Sequence, residues 1–285
     1  MLSIGAPVAA LVLLSALIHA SWNAIIKSDA DRLLSFGVVM LVGAVMGLAA
    51  VPFTQTPALD AWPWLIGSVV IHVFYYFFLL RAYAHGDLSH VYPIARGIAP
   101  LLVAVIAGRF VGEQLALREV LGLLLVSSGV VGLAFARGLP RAGEGRALIY
   151  AVLTGISIAG YTVVDGMGAR ASGSALGYIA WLNVLEGPWI FVLAVFRRRG
   201  ATIPYLRQYW WRGTVGGVIA TIGYGIAIWA LSVSPMAHVT ALRETSSLFG
   251  ALIGAYILKE SLGIRRVLAA AIMVSGLLMM NLRFS

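Results

Sequence analysis

Of the chain's 285 residues, 61% are hydrophobic and only 11% charged, and the mean hydropathy of +0.94 excludes an ordinary soluble domain. The net charge of +9 would suggest a nucleic-acid partner in a soluble protein, but these arginines sit mainly at the ends of apolar runs, where snorkelling and anionic headgroups place them, so none is expected. There is no cysteine, which removes disulfides, thiol catalysis and cysteine metal sites.

Ten segments are long enough to span about 30 Å of hydrocarbon as helix. They run roughly over 5–27, 33–53, 63–84, 89–110, 117–136, 147–165, 174–196, 209–232, 237–258 and 265–283. Short connections hold turn formers such as Gln55-Thr56-Pro57, Gly138-Leu139-Pro140 and Ser234-Pro235, and leave no room for a soluble domain. The first segment lacks a basic leading region and a small-residue cleavage site, so it is read as a retained span rather than a signal peptide.

Helical spacing places polar stripes on several of these segments. The first offers His19, Trp22 and Asn23, and the third His72, Tyr75 and Tyr76. On the fourth, Tyr92, Arg96 and Pro100 lie four apart, and Pro93 and Pro100 each free a backbone carbonyl, which marks them as hinge candidates. The sixth carries Ser157, Tyr161 and Asp165, the seventh Trp181, Asn183 and Glu186, and the eighth Tyr224. Thr240, Arg243, Ser246 and Ser247 share a face of the ninth, with Glu244 beside it. Such stripes are too polar for lipid and must face one another or water.

One of these patterns recurs. The fourth segment, with Arg96 at its middle and Gly-Glu at 112–113, is echoed by the ninth, with Arg243 at its middle and Lys-Glu at 259–260. A constant offset of 147 residues matches Arg96 to Arg243, Glu113 to Glu260 and Ser128-Gly129 to Ser275-Gly276, while His90 to His238 needs one more, an insertion assigned to Pro93. Trp22 answers to Tyr161, Tyr76 to Tyr224 and Ala82 to Ala230. The expected fold is an all-α integral membrane protein of two five-helix repeats, residues 1–140 and 141–285. Because five is odd, the second repeat must enter the membrane from the opposite side, and inverted repeats place their substrate site near the midplane between the halves.

Enzyme signatures are missing: the chain has no Gly-x-Ser-x-Gly elbow, P-loop, His-Glu-x-x-His or dinucleotide fingerprint. No helix carries metal-ligand spacing, so neither metal nor cofactor is expected. Two buried arginines without a ring of identical groups suit alternating access better than a conducting filter. With no nucleotide-binding motif, the energy is expected from a substrate or ion gradient, whether by proton coupling through Glu186, Glu244 or Asp165 or by facilitated diffusion.

The ten-helix count, the five-plus-five repeat and the Gly-Glu and Lys-Glu endings resemble the EamA-type transporters of the drug/metabolite transporter superfamily. That resemblance implies a multi-pass protein of the bacterial cytoplasmic membrane. It puts the first, third, fourth, sixth, eighth and ninth helices around a central cavity, with the fifth and tenth at the periphery. Relatives in the YddG-like branch export aromatic and other amino acids. His-Ala-Ser-Trp-Asn-Ala at 19–24, Tyr-Pro-Ile-Ala-Arg-Gly at 92–97 and Val-Val-Asp-Gly at 163–166 also resemble members associated with phosphonate utilisation.

Two midplane guanidiniums favour a carboxylate or phosphonate, and Glu186 or Glu244 would accept an ammonium. Trp22, Tyr75, Tyr76, Tyr92, Tyr161, Trp181 and Tyr224 supply an amphipathic wall. The expected cargo is a bulky or aromatic amino acid. An aminophosphonate fits the charges equally, and a lipid flippase is the remaining alternative. Each residue also has a structural reading: either arginine can be locked to Glu244, Glu186 or Asp165. His19, His72, His90 and His238 are read as packing residues, and Trp62, Trp64, Trp210 and Trp211 as interfacial anchors. The pairs Gly43/Gly47, Gly213/Gly217 and Gly250/Gly254 are read as close helix contacts. Glu113 and Glu260 are read as structural. The oligomeric state, monomer or a homodimer through the fifth and tenth helices, is left open.

Fourteen lysines and arginines stand in the connections after odd-numbered helices, from Lys27 and Arg32 to Arg265 and Arg266; on the other side are four, Arg109, Arg118, Arg170 and Arg283. Positive charge favours the cytoplasmic side, so both termini are expected on the periplasmic or outer face. A C-terminal alkaline phosphatase fusion should be active and a C-terminal GFP dim; the reverse pair of results overturns the orientation.

Overall fold

A computed structural model describes residues 4–27, 29, 31–86, 88–135, 145–256 and 263–281. Arg137, Arg141, Lys259, Glu260, Arg283, the Gly138-Leu139-Pro140 turn and the side chains of Lys27 and His90 lie outside the described residues. Among the described residues eleven α-helices follow one another: α1 (Ala6–Lys27), α2 (Arg32–Ala50), α3 (Trp62–His85), α4 (Leu88–Ile106), α5 (Leu117–Phe135), α6 (Gly145–Ala171), α7 (Ala175–Arg197), α8 (Thr202–Val233), α9 (Met236–Arg243), α10 (Thr245–Tyr256) and α11 (Ile264–Asn281). Among the described residues, nine helices are long and apolar enough to cross a membrane. The remaining expected span, 237–258, is divided by the structure into α9 and α10.

Local chemistry accounts for several boundaries. Asp31 caps α2 by accepting from the Leu33 and Leu34 amides at 3.0 and 3.2 Å, and Ser174 caps α7 through the Gly177 amide. Pro63 stands in the first turn of α3, where no helical amide is lost. The end of α4 widens into a π-turn over Ala107–Val111, closed by Gly112 at φ 76°, a conformation that suits glycine. The next residue, Glu113, serves another helix. Its carboxylate takes the Met236 amide at the start of α9 (2.7 Å) and the Arg170 guanidinium (2.7 Å), while Arg170 also donates to the Leu231 and Ser234 carbonyls. This one network ties the ends of α4, α6 and α8 to the beginning of α9, which fits the structural reading of Glu113.

The two repeats pack mainly on each other. α2 lies against α7 and α8, α3 and α4 against α6, and α1 against α8 and α10, so most of the core is an interface between halves. Its central apolar cluster includes Val12, Val103, Ala159, Leu231 and Val239. At 32 residues α8 extends about 48 Å, more than the hydrocarbon needs, and its first turns carry Arg207, Trp210, Trp211 and Arg212. Arg212 lies over the Tyr209 and Trp211 rings at 5.6 and 5.4 Å, an arrangement suited to a headgroup layer.

Glycine sets the closest approaches. A Cβ at Gly47 would strike the Ala180 carbonyl of α7, and at Gly213 or Gly217 the valines of α2, as the small-residue pattern predicts. Gly250 departs from it, since among the described residues nothing lies within 4 Å of its missing Cβ. A third contact of this kind joins α5 and α11, where a Cβ on Gly122 would meet the Gly276 carbonyl at 2.7 Å and one on Gly129 the Ala269 carbonyl at 2.7 Å. Gly276→Ala should therefore lower thermal stability in detergent by about 1–3 kcal/mol through overpacking. Gly250→Ala should leave the melting temperature unchanged, and equal effects of the two would discount the glycine contact.

Candidate functional site

A helix interrupted inside hydrocarbon exposes backbone groups that must find partners within the protein. The interruption at Glu244 is served from the other repeat. Arg96, 4% exposed on α4, donates Nε to Glu244 Oε2 at 3.2 Å and Nη2 to both the Arg243 carbonyl (3.4 Å) and Ser246 Oγ (3.3 Å). Glu244 is 1% exposed, so the pair is dry. Its own amide tightens onto the Ala241 carbonyl at 3.1 Å. α4, by contrast, stays helical through both Pro93 and Pro100. The break falls in the ninth span, which has no proline at that position.

Arg243 is as deeply placed, at 7% exposure, but is held differently. Its guanidinium carbon lies 5.5 Å from the Tyr224 ring centroid, and among the described residues no carboxylate lies within ion-pair distance. The repeat offset supplies the reason: position 97, which corresponds to Glu244, is glycine. A side chain there would collide with Val131 of α5, so no reciprocal carboxylate fits. Two guanidiniums and one carboxylate leave this cluster one positive charge in excess.

Aromatic rings join the cluster to a second polar group. His72 stacks on Tyr161 with centroids 4.1 Å apart, and lies 6.2 Å from both Tyr76 and Tyr224; Tyr75 meets Tyr76 and Tyr161 edge-on at 4.9 and 5.6 Å. Behind the rings are two acids. Glu186 Oε1 accepts from the Tyr76 hydroxyl at 2.6 Å and stands 3.8 Å from His72 Nε2. Asp165, fully buried, accepts from the Tyr178 and Tyr224 hydroxyls at 3.0 and 2.6 Å. On another side, His19 Nε2 and the Tyr92 hydroxyl are 3.4 Å apart, and His19 meets Trp22, which stacks on Phe36.

Most expected site residues therefore converge: Arg96, Arg243, Glu244, Tyr92 and His19 around the break, and Tyr75, Tyr76, Tyr161, Tyr224 and Glu186 around His72. Others do not. Trp181 lies edge-on to Trp62 at 5.2 Å, in a packing cluster that also holds Tyr178 and Tyr224. The Asn23 amide donates to the His19 carbonyl of its own helix. Ser247 Oγ is buried without a partner among the described residues. Phe36 and Tyr178 join the site unforeseen, because each stands in an apolar run with no polar stripe to single it out. Ser68 joins as well, its hydroxyl 3.2 Å from His72 Nδ1, and the four-residue spacing to His72 was its one signal.

The model of the EamA-like transporter family matches this chain twice, over residues 6–135 and 145–282. Among solved structures, a crystal structure of a protein superposes with a TM-score of 0.72 at 18% identity, covering 95% of this chain and 94% of that chain, which shows a shared fold. No curated protein matches.

Arg96→Ala should destabilise the protein by about 3–5 kcal/mol, because it orphans Glu244 and the Arg243 carbonyl in a dry site. Arg243→Ala removes an excess charge and should leave the melting temperature equal to or above that of the parent. Thermal denaturation in detergent reads both, and equal losses would refute the division of roles.

Proposed function

The chain belongs to the EamA-like transporter family, and on that premise we propose that it exports an amino acid with a bulky or aromatic side chain across the bacterial cytoplasmic membrane by alternating access. Membership points to a multi-pass membrane transporter rather than an enzyme. The choice of cargo rests on one observation, the buried guanidinium of Arg243, which has no carboxylate within ion-pair distance among the described residues.

An anionic group satisfies that side chain. The planar fork donates two parallel hydrogen bonds to a carboxylate, with the Tyr224 face beneath it. Tyr75, Tyr161 and Tyr224 then offer an amphipathic wall to the apolar part of the cargo, and their faces attract its ammonium. Glu244 is already taken by Arg96 and is not available to the ammonium. A choline-like cation or a polycation would meet the excess positive charge and be repelled. An aminophosphonate carries the same anion and cation and is the second reading, supported by the same guanidinium.

Movement follows from the packing. Since the repeats bury their central helices on each other, rocking one half against the other opens the site to each side in turn. The expected orientation, with both termini outside, puts the basic start of α8 at the cytoplasmic headgroups.

Proteoliposomes loaded with labelled phenylalanine, tryptophan, threonine or methionine, beside 2-aminoethylphosphonate and choline, test the cargo. Exchange of an aromatic amino acid is expected, with half-saturation raised about ten- to a hundredfold in Arg243→Ala, the range for a hydrogen bond to a charged group. Flux of choline alone would sink the zwitterion reading and leave the transporter fold untouched.

A further inference from the structure

The turn between α7 and α8 carries the densest run of cations in the chain. From Gly187 to Leu242 the sequence holds no acidic residue, while Arg197, Arg198, Arg199, Arg207 and Arg212 follow closely on one another. Arg198 is engaged, its Nε donating to Asp31 Oδ2 of the first repeat at 2.8 Å. Among the described residues no carboxylate lies within ion-pair distance of the other four. Arg197, Arg199 and Arg207 are exposed, and Arg212 is half-buried.

These arginines stand on a fixed platform. The Arg198 carbonyl accepts from the Ala201 amide at 2.8 Å, the Thr202 amide at 3.0 Å and the Thr202 hydroxyl at 2.9 Å, and the Tyr205 hydroxyl donates to Asp29 Oδ2 at 2.8 Å. Tyr205 is buried with Leu34, Val38 and Ala194, so the first turn of α8 is anchored on α2 and α7. Rings stand beside the guanidiniums. The Arg199 guanidinium carbon lies 4.4 Å from the Phe196 ring centroid, and Arg212 lies over Tyr209 and Trp211. Stacking uses the face of a guanidinium and leaves its edge N–H groups free to donate. Phe196, Trp210 and Trp211 are themselves 64%, 57% and 52% exposed. Exposed rings and cations at one level belong in a headgroup layer, between hydrocarbon and bulk water.

We infer that this turn is a binding site for an anionic phospholipid, whose phosphate takes the guanidinium edges while its chains run along the apolar lengths of α7 and α8. Charge complementarity selects the headgroup. Four arginines without a carboxylate partner attract a net negative lipid, whereas a zwitterionic one brings an ammonium that they repel. Snorkelling alone asks only that each arginine reach water, and it does not gather them on a hydrogen-bonded turn with ring faces beneath two of them. Nor does the fold impose the cluster: the equivalent connection of the first repeat, residues 51–61, has no lysine or arginine and carries Asp60. Because Arg198 and Tyr205 tie the same turn to Asp31 and Asp29, a lipid held here also steadies the junction between the repeats.

The experiment titrates the full chain, in micelles of a neutral detergent, with phosphatidylglycerol and reads the melting temperature; phosphatidylcholine of the same acyl chains and inorganic phosphate are the other arms. Saturable stabilisation by phosphatidylglycerol is expected, with half-saturation raised about fivefold for each arginine replaced in Arg207→Gln and in the double variant Arg199→Gln/Arg207→Gln. Arg81→Gln, which removes an arginine over the Phe77 ring at the end of α3, should respond as the parent does. No stabilisation, equal stabilisation by phosphatidylcholine or by inorganic phosphate, unchanged half-saturation in the α7–α8 variants, or an equal loss in Arg81→Gln overturns the inference. Should the glutamine variants fail to fold, native mass spectrometry of the parent decides: phosphatidylglycerol retained in preference to phosphatidylcholine supports the site, and equal retention overturns it.

Discussion

The contact on which the site depends is the one between Arg96 and the broken ninth span. Backbone polar groups inside a membrane have no water to turn to, so α9 and α10 can part only where something else satisfies the freed groups. Arg96 does so with one planar side chain, holding the Glu244 carboxylate, the Arg243 carbonyl and the Ser246 hydroxyl together. Because the arginine comes from α4 and the break from the second repeat, the same contact also fixes the halves to each other near their common centre.

From this contact follows an asymmetry that the repeat conceals. Arg96 and Arg243 occupy equivalent places, but the carboxylate that pairs with the first has glycine as its counterpart. Gly97 is required to be small by its approach to α5. One arginine is therefore consumed by structure, and in the proposed reading the other is kept for a ligand. An internal pair that neutralised both would leave an anionic cargo nothing to bind, whereas two free guanidiniums would be too costly to bury.

The acids are sorted by similar logic. Glu113 is spent at the membrane edge, capping α9 and holding Arg170. Glu244 is spent on Arg96. Glu186 and Asp165 remain among phenols and one imidazole, behind the rings that flank Arg243.

Much of this was legible in the chain. Hydropathy gave the spans, because a helix in lipid must be apolar over its whole length, and the fixed offset between Arg96 and Arg243 gave the repeat. Charge within apolar segments singled out Arg96, Arg243, Glu244 and Glu186, since only a protein interior tolerates it there. Periodicity could not tell which arginine would find a partner, because pairing depends on the distance between α4 and the ninth span. Nor could it place the break: α4 stays helical through Pro93 and Pro100, and the helical run is interrupted instead at Glu244, where Arg96 satisfies the freed groups. Gly250 read as a close contact from its residue type, but among the described residues nothing lies within 4 Å of its missing Cβ. Sequence determined which groups must be buried, because burial is set by composition along one helix; partnership is a matter of distances between helices, and only the tertiary structure decided it.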